Sequence, residues 1–235
     1  MGLPAHVSGA SPERFARRCD ILPAMFSHDP TPRSPSPLII RQGANLPHWT
    51  REGATYAVTY RLADSMPQEV LRRWEVEREH IVARARQLER EMTDHELARL
   101  DVLHSERVEA YLDAGHGACW MSNSEVATIV RGAMLHFEGV RHETYAWCIM
   151  PNHVHAVVRP MAGFSLSKVM HGWKGFSGLE ANKALGRNGL FWQPEPYDHL
   201  VRNDADFAHS VRYELDNPVN GGLKDWKWVG EKAGG

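Results

Sequence analysis

Two histidines separated by a single residue, His153 and His155, are the first side chains of this 235-residue sequence that could do chemistry. They open the hydrophobic segment His-Val-His-Ala-Val-Val, directly after the turn signal Pro151-Asn152. In a β-strand, residues i and i+2 point to the same face, so both imidazoles could bind one divalent ion while Val154 enters the core. The spacing alone is weak evidence, because random placement of 14 histidines gives such a pair about 0.8 times.

A tyrosine near the C-terminus, Tyr213, is the second candidate. On a helix Tyr213 and Asn217 are residues i and i+4, which lie on one face about 5–6 Å apart at Cβ. A tyrosine hydroxyl beside a polar amide at a helix end could act as a nucleophile with a neighbouring metal ligand. A structural explanation stays open as well: Tyr213 could pack at the helix edge, and Asn217 could cap the helix before Pro218.

Basic and aromatic residues alternate between residues 168 and 187, where phosphate contacts and base stacking could combine. The residues are Lys168, His171, Trp173, Lys174, Phe176, Lys183 and Arg187. The helical spacing of Trp173 and Phe176 favours core positions for these two rings. Arg202 and Arg212 lie nearer Tyr213 in the sequence and are better candidates for phosphate contacts.

Alternation, capping and turn residues predict the elements that must position these side chains. The sequence predicts a strand at 54–62, a helix from 122 to about 139, a hairpin of strands 142–150 and 153–158, a helix from 165 to about 185, a short strand near the end of 190–201, and a last helix at 203–216 stopped by Asn217-Pro218. A tail with Trp226 and Trp228 is expected to fold back onto the domain. This order predicts an α+β fold with a ferredoxin-like (RRM-like) antiparallel sheet and helices on one face.

Composition divides the chain into an arm and one domain. Residues 1–46, rich in Pro, Ser and Arg, are expected to form a flexible arm, and residues 47–230 a single domain. A charged segment at about 64–113 is predicted to be an inserted helical hairpin, whose second helix starts at the capping box Thr93-Asp-His-Glu96. It holds about 13 acidic and about 8 basic residues, so its charge of roughly −5 leaves roughly +3 for the rest of a chain of net charge −2.

The overall composition excludes several classes of protein. A net charge of −2 and a pI of about 6.7 do not suit a strongly basic protein that coats DNA. The sequence contains no apolar run of 18 residues and no signal-peptide pattern at its start. Cys19, Cys119 and Cys148 form neither a disulfide framework nor a zinc cluster. We therefore expect a protein of the reducing cytoplasm, associated with the nucleoid if it binds DNA.

Several motifs together resemble one known family. Tyr-Ala-Trp-Cys-Ile-Met-Pro-Asn-His-Val-His at 145–155, Phe-Trp-Gln-Pro at 191–194, Tyr-Asp-His-Leu-Val-Arg-Asn at 197–203 and Arg-Tyr-Glu-Leu-Asp-Asn-Pro-Val-Asn-Gly-Gly-Leu at 212–223 are similar to REP-associated tyrosine transposases, members of the HUH superfamily of single-tyrosine transposases. The resemblance covers about residues 48–62 and 123–229. It leaves out the N-terminal arm and the charged hairpin, which resembles an insertion after the first strand.

The resemblance implies a metal-dependent enzyme that nicks single-stranded or hairpin DNA and transfers the strand. By position, Tyr213 matches the family's nucleophile, which forms a 5′-phosphotyrosine intermediate, and His153 and His155 match its metal pair. Asn217 stands where the family places a third polar ligand, and the family's metal is Mg or Mn. His199 matches a recurring position and is expected near the site, with Lys168, Lys174, Arg187, Arg202 and Arg212 as candidate DNA contacts. REP-type palindromes are the implied partners, and both a monomer and a homodimer stay open.

Two alternatives compete with this interpretation. The chain could be a domesticated protein that binds REP hairpins without cleaving them, although Tyr213, His153 and His155 are all present. It could also be an unrelated hydrolase that uses the His pair with a carboxylate such as Glu214. That enzyme would hold Zn and would stay active after Tyr213→Phe.

Overall fold

A computed structural model describes residues 39–42, 47–88, 90, 93, 96, 108 and 110–232. Two short strands, β1 (Ile39–Gln42) and β2 (Pro47–Thr50), pair antiparallel at the start of this region. β1 lies in the segment predicted as a flexible arm, so the last part of that segment is a strand. The remainder of the predicted arm lies outside the described residues.

The core of the structure is a five-stranded sheet in the order β6-β3-β5-β4-β7, in which every neighbouring pair is antiparallel. Its strands are β3 (Tyr56–Arg61), β4 (His142–Ile149), β5 (His153–Pro160), β6 (Tyr197–Leu200) and β7 (Val229–Glu231). Four long α-helices pack around the sheet or precede it, α1 (Gln68–Gln87), α2 (Ser124–Leu135), α3 (Leu166–Ala184) and α4 (Asp204–Asn220), and a single 3-10 turn spans Trp120–Ser122. The predicted α+β class with an antiparallel sheet is confirmed.

One face of the sheet carries the hydrophobic core. Alternation along β3 and β5 directs Tyr56, Val58 and Tyr60, together with Val154 and Ala156, into this layer. α2 and α3 cover it as predicted, with Val126, Val130, Met134, Val169, Met170 and Trp173 among the buried residues. Asn123 caps α2 by accepting from the Glu125 N–H, and Ser165 caps α3 by accepting from the Lys168 N–H.

The opposite face of the sheet is covered by α4, whereas the sequence predicted helices on one face only. Three contacts define this packing: the ring of His155 faces Tyr213, its Nδ1 lies near Glu214, and Tyr145 packs against Phe207. His153 and His155 of β5 therefore point between the sheet and α4, while Val154 points into the core.

The predicted end of the last helix is wrong. α4 continues through Pro218 to Asn220, and the Asn217 carbonyl accepts from the N–H of Gly221. Pro218 has no N–H to bond the Glu214 carbonyl, but the bond from Gly221 to Asn217 completes the last turn after it. Asn217 is therefore an interior residue of α4 and not its cap.

The inserted segment is described in part. α1 is its first helix, and the expected capping box is present, because the Thr93 N–H donates to Glu96 Oε2 and the Glu96 N–H donates to Thr93 Oγ1. Most of the predicted second helix lies outside the described residues, but residues 110–113 are helical. Val108 and Leu112 pack against Met66 at the start of the insertion.

The C-terminal tail returns to the sheet, as predicted. β7 pairs with β4, and the Trp226 indole N–H donates to the Ile149 carbonyl at 2.8 Å. No helix in the described ranges is long and apolar enough to cross a bilayer.

Candidate functional site

His153 and His155 lie side by side in the layer between the sheet and α4. Their ring centroids are 4.6 Å apart and the ring planes are nearly perpendicular. The two side chains are 0% and 1% exposed, and neither Nε2 atom has a hydrogen-bond partner among the described residues. Buried polar atoms are normally paired, so two adjacent orphaned nitrogens indicate a place for a ligand.

The other ring nitrogen of each histidine is held by a neighbour. His153 Nδ1 lies 2.7 Å from Asn152 Oδ1, and this oxygen accepts, because the Asn152 amide group donates to two backbone carbonyls. His155 Nδ1 lies 2.9 Å from Thr59 Oγ1. His153 Nδ1 therefore donates and leaves the lone pair of Nε2 for a ligand, and the contact with Thr59 Oγ1 fixes the orientation of the His155 ring.

Burial keeps both imidazoles neutral. It lowers the pKa of His155 to about 3, and it lowers the pKa of His153 well below 6.5, with a further contribution from His155. A neutral imidazole is the form that coordinates a metal ion, so the pair needs no deprotonation step at neutral pH.

α4 places two side chains beside His155 and a third, Asn217, one turn further along the same helix. Tyr213 is half-buried, and its ring centroid lies 6.0 Å from that of His155. Glu214 is buried, with Oε2 3.4 Å from His155 Nδ1. Asn217, one turn after Tyr213, is 1% exposed, and its Oδ1 has no hydrogen-bond partner in the described part of the chain.

The donors present fit a divalent ion. Two unpartnered imidazole nitrogens on β5 and an unpartnered, buried amide oxygen on α4 are available as donors, and such a mixed set leaves further coordination positions open. Across the described ranges, no three His, Cys, Asp or Glu side chains form a ready metal-binding group. The Asn217 amide would therefore complete the set, unless a carboxylate moves towards the histidines.

Three residues of this layer were missed by sequence reasoning. Thr59 and Asn152 hold the histidine rings, and Asp113 Oδ1 lies 3.8 Å from His153 Nε2. Asn152 was noted only as part of a turn, and Asp113 only as the end of the charged hairpin. Cys148, opposite His155 on β4, is also buried here, and burial raises the pKa of its thiol, so it stays protonated.

His199 lies on β6, opposite Ala57, and is held from the side of α4. Its Nε2 is 3.2 Å from Asp206 Oδ2, and the same oxygen accepts from the Arg202 backbone N–H. These contacts connect β6 to the first turn of α4. Arg202 and Arg212 are both exposed, and Arg212 precedes Tyr213 on α4.

The basic residues of α3 belong to a different part of the molecule. α3 lies on the core face of the sheet, and Trp173 is buried there at 2% exposure, the core position that its spacing favoured. Lys174 donates to the carbonyls of Gln193 and Pro194, both at 2.6 Å, while Lys168 is exposed. Arg187 lies over the rings of Trp120 and Phe191. None of these three cations has a recorded contact with the histidines among the described residues.

Comparison with known proteins gives the same family as the motifs. Residues 123–201 match the family described as "Transposase IS200 like"; this segment contains His153, His155 and His199 and ends before Tyr213. A REP-associated tyrosine transposase of Escherichia coli (strain K12) is 30% identical over 89 residues, which are 36% of this chain and 51% of that protein. A relative in Haemophilus influenzae, named provisionally as a member of the same group, is 28% identical over 100 residues, 37% of this chain and 57% of its own.

The chain thus spans little more than half the length of these curated relatives. A solved REP-associated tyrosine transposase bound to a REP hairpin aligns with 76% of each chain at 19% identity and a TM-score of 0.43. Residues 123–201 therefore match the IS200-like transposase family, and the chain is similar to REP-associated tyrosine transposases, the family that its motifs resemble.

Proposed function

We propose that the chain is a metal-dependent single-strand DNA endonuclease and strand transferase, with Tyr213 as nucleophile. The observation that carries this proposal is the position of Tyr213, half-exposed beside two buried histidines whose Nε2 atoms have no partner in the described structure. A nucleophile at the edge of a buried donor set can meet a phosphate from solvent while the donors stay shielded.

His153, His155 and Asn217 would hold the ion, Mg or Mn. When bound, the ion would polarise a scissile phosphate and offset negative charge on the departing 3′ oxygen. The chain's own contribution is to fix the donors: Asn152 and Thr59 orient the two rings, and burial keeps them neutral. Their orientation costs little at the moment of reaction because it exists beforehand.

In the proposed reaction the Tyr213 hydroxyl gives up its proton and its oxygen attacks phosphorus in line. The new bond joins the tyrosine oxygen to the 5′ phosphate, the P–O3′ bond breaks, and the 3′ oxygen takes up a proton. The phosphotyrosine keeps the energy of the phosphodiester, so a 3′-OH of another strand can reverse the step and join that strand. Arg202 and Arg212, both exposed near α4, are the proposed phosphate contacts.

The proposed substrate is single-stranded DNA that folds into a REP-type hairpin, since the curated relatives are named as REP-associated. His199 is proposed to support this site through the bond to Asp206 at the start of α4. Lys168, Lys174 and Arg187 are weaker candidates for DNA contacts, because α3 lies on the other face of the sheet. An enzyme of this kind would act at the nucleoid, as a monomer or a homodimer.

A cleavage assay tests the proposal. Wild type, Tyr213→Phe and the control Tyr145→Phe are incubated with REP-type hairpin oligonucleotides and Mg²⁺ or Mn²⁺, then separated on a denaturing gel. Tyr145 packs against Phe207 on α4, and its hydroxyl bonds to Glu143. We expect a covalent protein–DNA band for wild type and Tyr145→Phe and none for Tyr213→Phe.

The other outcomes separate the alternatives. Cleavage that persists in Tyr213→Phe would refute the tyrosine mechanism and favour a hydrolase that uses the His pair with Glu214. A hairpin-specific gel shift without a covalent band in any of the proteins would favour a DNA-binding protein that does not cleave.

A further inference from the structure

The C-terminal end of the inserted segment is bonded to the turn that carries the first histidine. Asn152 Nδ2 donates to the carbonyls of Leu112, at 3.0 Å, and His116, at 2.9 Å. Asn152 is 1% exposed, and its Oδ1 accepts from His153 Nδ1 at 2.7 Å. One buried side chain therefore connects the insertion to the orientation of His153.

The same segment places a carboxylate against the other side of that ring. Asp113 Oδ1 lies 3.8 Å from His153 Nε2, the nitrogen whose lone pair is unused. This oxygen is buried, although the side chain is 24% exposed as a whole, and it has no hydrogen-bond partner within the described ranges. A buried carboxylate oxygen without a partner is costly, and a cation between it and the imidazole would satisfy both atoms.

The separation suits two ligands of one ion. Ligands of Mg²⁺ lie at about 2.1 Å, so two of them can be up to roughly 4.2 Å apart. The 3.8 Å between the carboxylate oxygen and the imidazole nitrogen falls within this limit.

The end of α4 approaches the same carboxylate. A Cβ atom added at Gly221 would lie 3.5 Å from Asp113 Oδ1 and 3.4 Å from the Asn217 carbonyl oxygen. The close neighbour of that Cβ would be Met150 Cε, at 2.8 Å, while Asp113 Oδ1 lies at ordinary contact distance, so the last turn of α4 lies next to the Asp113 carboxylate. Asp113, His153 and the last turn of α4 therefore come from three separate segments that lie close together.

Because the described His, Cys, Asp and Glu side chains do not already form a three-ligand group, we infer that Asp113 shifts toward the pair and supplies a carboxylate ligand to the divalent ion held by His153 and His155, so that the insertion completes the metal site. This inference rests on the proposed function, and it assigns a role to a segment that the family resemblance does not cover. The carboxylate adds a negatively charged oxygen donor to two neutral nitrogens and an amide, which is the type of ligand that Mg²⁺ and Mn²⁺ favour.

Binding of Mn²⁺ to the full chain, without DNA, tests the inference by titration calorimetry and by thermal unfolding with and without the ion. The proteins are wild type, Asp113→Asn, His155→Ala and the control Asp204→Asn. Asp204 is exposed and lies nine residues before Tyr213 on the same helix, about 13 Å along its axis. Because asparagine has nearly the shape of aspartate, the first variant removes the charge and keeps the packing.

We expect Asp113→Asn to raise the Kd for Mn²⁺ about tenfold or more and to reduce the rise in Tm that Mn²⁺ causes. Its Tm without metal should equal or exceed that of wild type, since an unpaired buried carboxylate is replaced by a neutral amide. Asp204→Asn should bind Mn²⁺ as wild type does.

A Kd within twofold of wild type for Asp113→Asn, while His155→Ala abolishes binding, would overturn the inference and leave the proposed metal site standing. A wild-type protein that does not bind Mn²⁺, or a His155→Ala variant that binds it normally, would overturn both.

Discussion

Acidification in the absence of divalent ions is expected to destabilise the protein through its buried histidines. Burial lowers the pKa of His155 to about 3 in the folded chain, against about 6.5 in an unfolded chain. As the pH falls below 6.5, the unfolded chain takes up a proton that the folded chain does not. The free energy of unfolding therefore decreases between pH 6.5 and 3 and has lost the full contribution near pH 3.

The size of the effect follows from the two pKa values. Between pH 7 and pH 5, His155 alone should lower the free energy of unfolding by about 2 kcal/mol. For a chain of this length that corresponds to a fall in Tm of about 4–8 °C. His153, whose pKa burial also lowers, acts in the same direction and increases the loss.

Urea or thermal unfolding at pH 7 and pH 5, with EDTA present, measures the effect. His155→Gln should lose about 2 kcal/mol less than wild type over this interval, because glutamine does not titrate. His171→Gln, at an exposed position of α3, is the matched control and should lose as much as wild type. If His155→Gln lost as much unfolding free energy between pH 7 and pH 5 as the control, a His155 imidazole that stays neutral in the folded protein would be refuted.

Two further substitutions test contacts elsewhere in the fold. Gly230→Ala should lower the free energy of unfolding by about 1–3 kcal/mol, because the new Cβ would lie 2.7 Å from the ring of Trp147. The control Gly132→Ala, at a position of α2 with open space around it, should leave the free energy of unfolding equal or slightly higher. Equal denaturation midpoints for the two variants would contradict this prediction. Thr59→Val removes the hydroxyl that contacts His155 Nδ1 and keeps nearly the same side-chain shape. It should weaken Mn²⁺ binding about 10–100-fold and leave the circular dichroism spectrum unchanged. Wild-type affinity in calorimetry would exclude an orienting role for Thr59.

Local rules predicted much of the arrangement around the histidines. Alternation along a strand predicted that His153 and His155 share one face and that Val154 is in the core, and the structure has this arrangement. Helical spacing likewise predicted that Tyr213 and Asn217 lie on one face of a helix. Both rules work because side-chain direction in a regular element depends only on position within it.

The parts that were missed depend on contacts between distant residues. Asn152 and Leu112 are 40 positions apart, and no local pattern indicates that the end of a charged hairpin reaches the turn before His153. The interleaved basic and aromatic residues of α3 gave no information about which face of the sheet the helix covers. Lys174 is of a residue type that often contacts DNA phosphate, yet its amino group donates to two loop carbonyls.

Pro218 shows where a local rule is too strong. Proline was expected to end the last helix at the preceding residue, and α4 instead runs to Asn220. The rule holds for a helix interior, where the ring clashes with the preceding turn and a bond is lost in mid-helix. Pro218 loses that bond as well, but only two residues of helix follow it, and the Asn217 carbonyl accepts from the Gly221 N–H.

The long separation between the paired strands β3 and β5 has a consequence for the cost of the insertion. Thr59 and His155 are bonded across 96 positions of sequence, and about half of that distance is the segment at 64–113. The entropy of closing a loop grows only with the logarithm of its length, so doubling the loop costs about 0.6 kcal/mol. A buried hydrogen-bonding group left without a partner costs about 1–3 kcal/mol. The two bonds that Asn152 makes to residues 112 and 116 can therefore outweigh the entropy of the extra chain that supplies them.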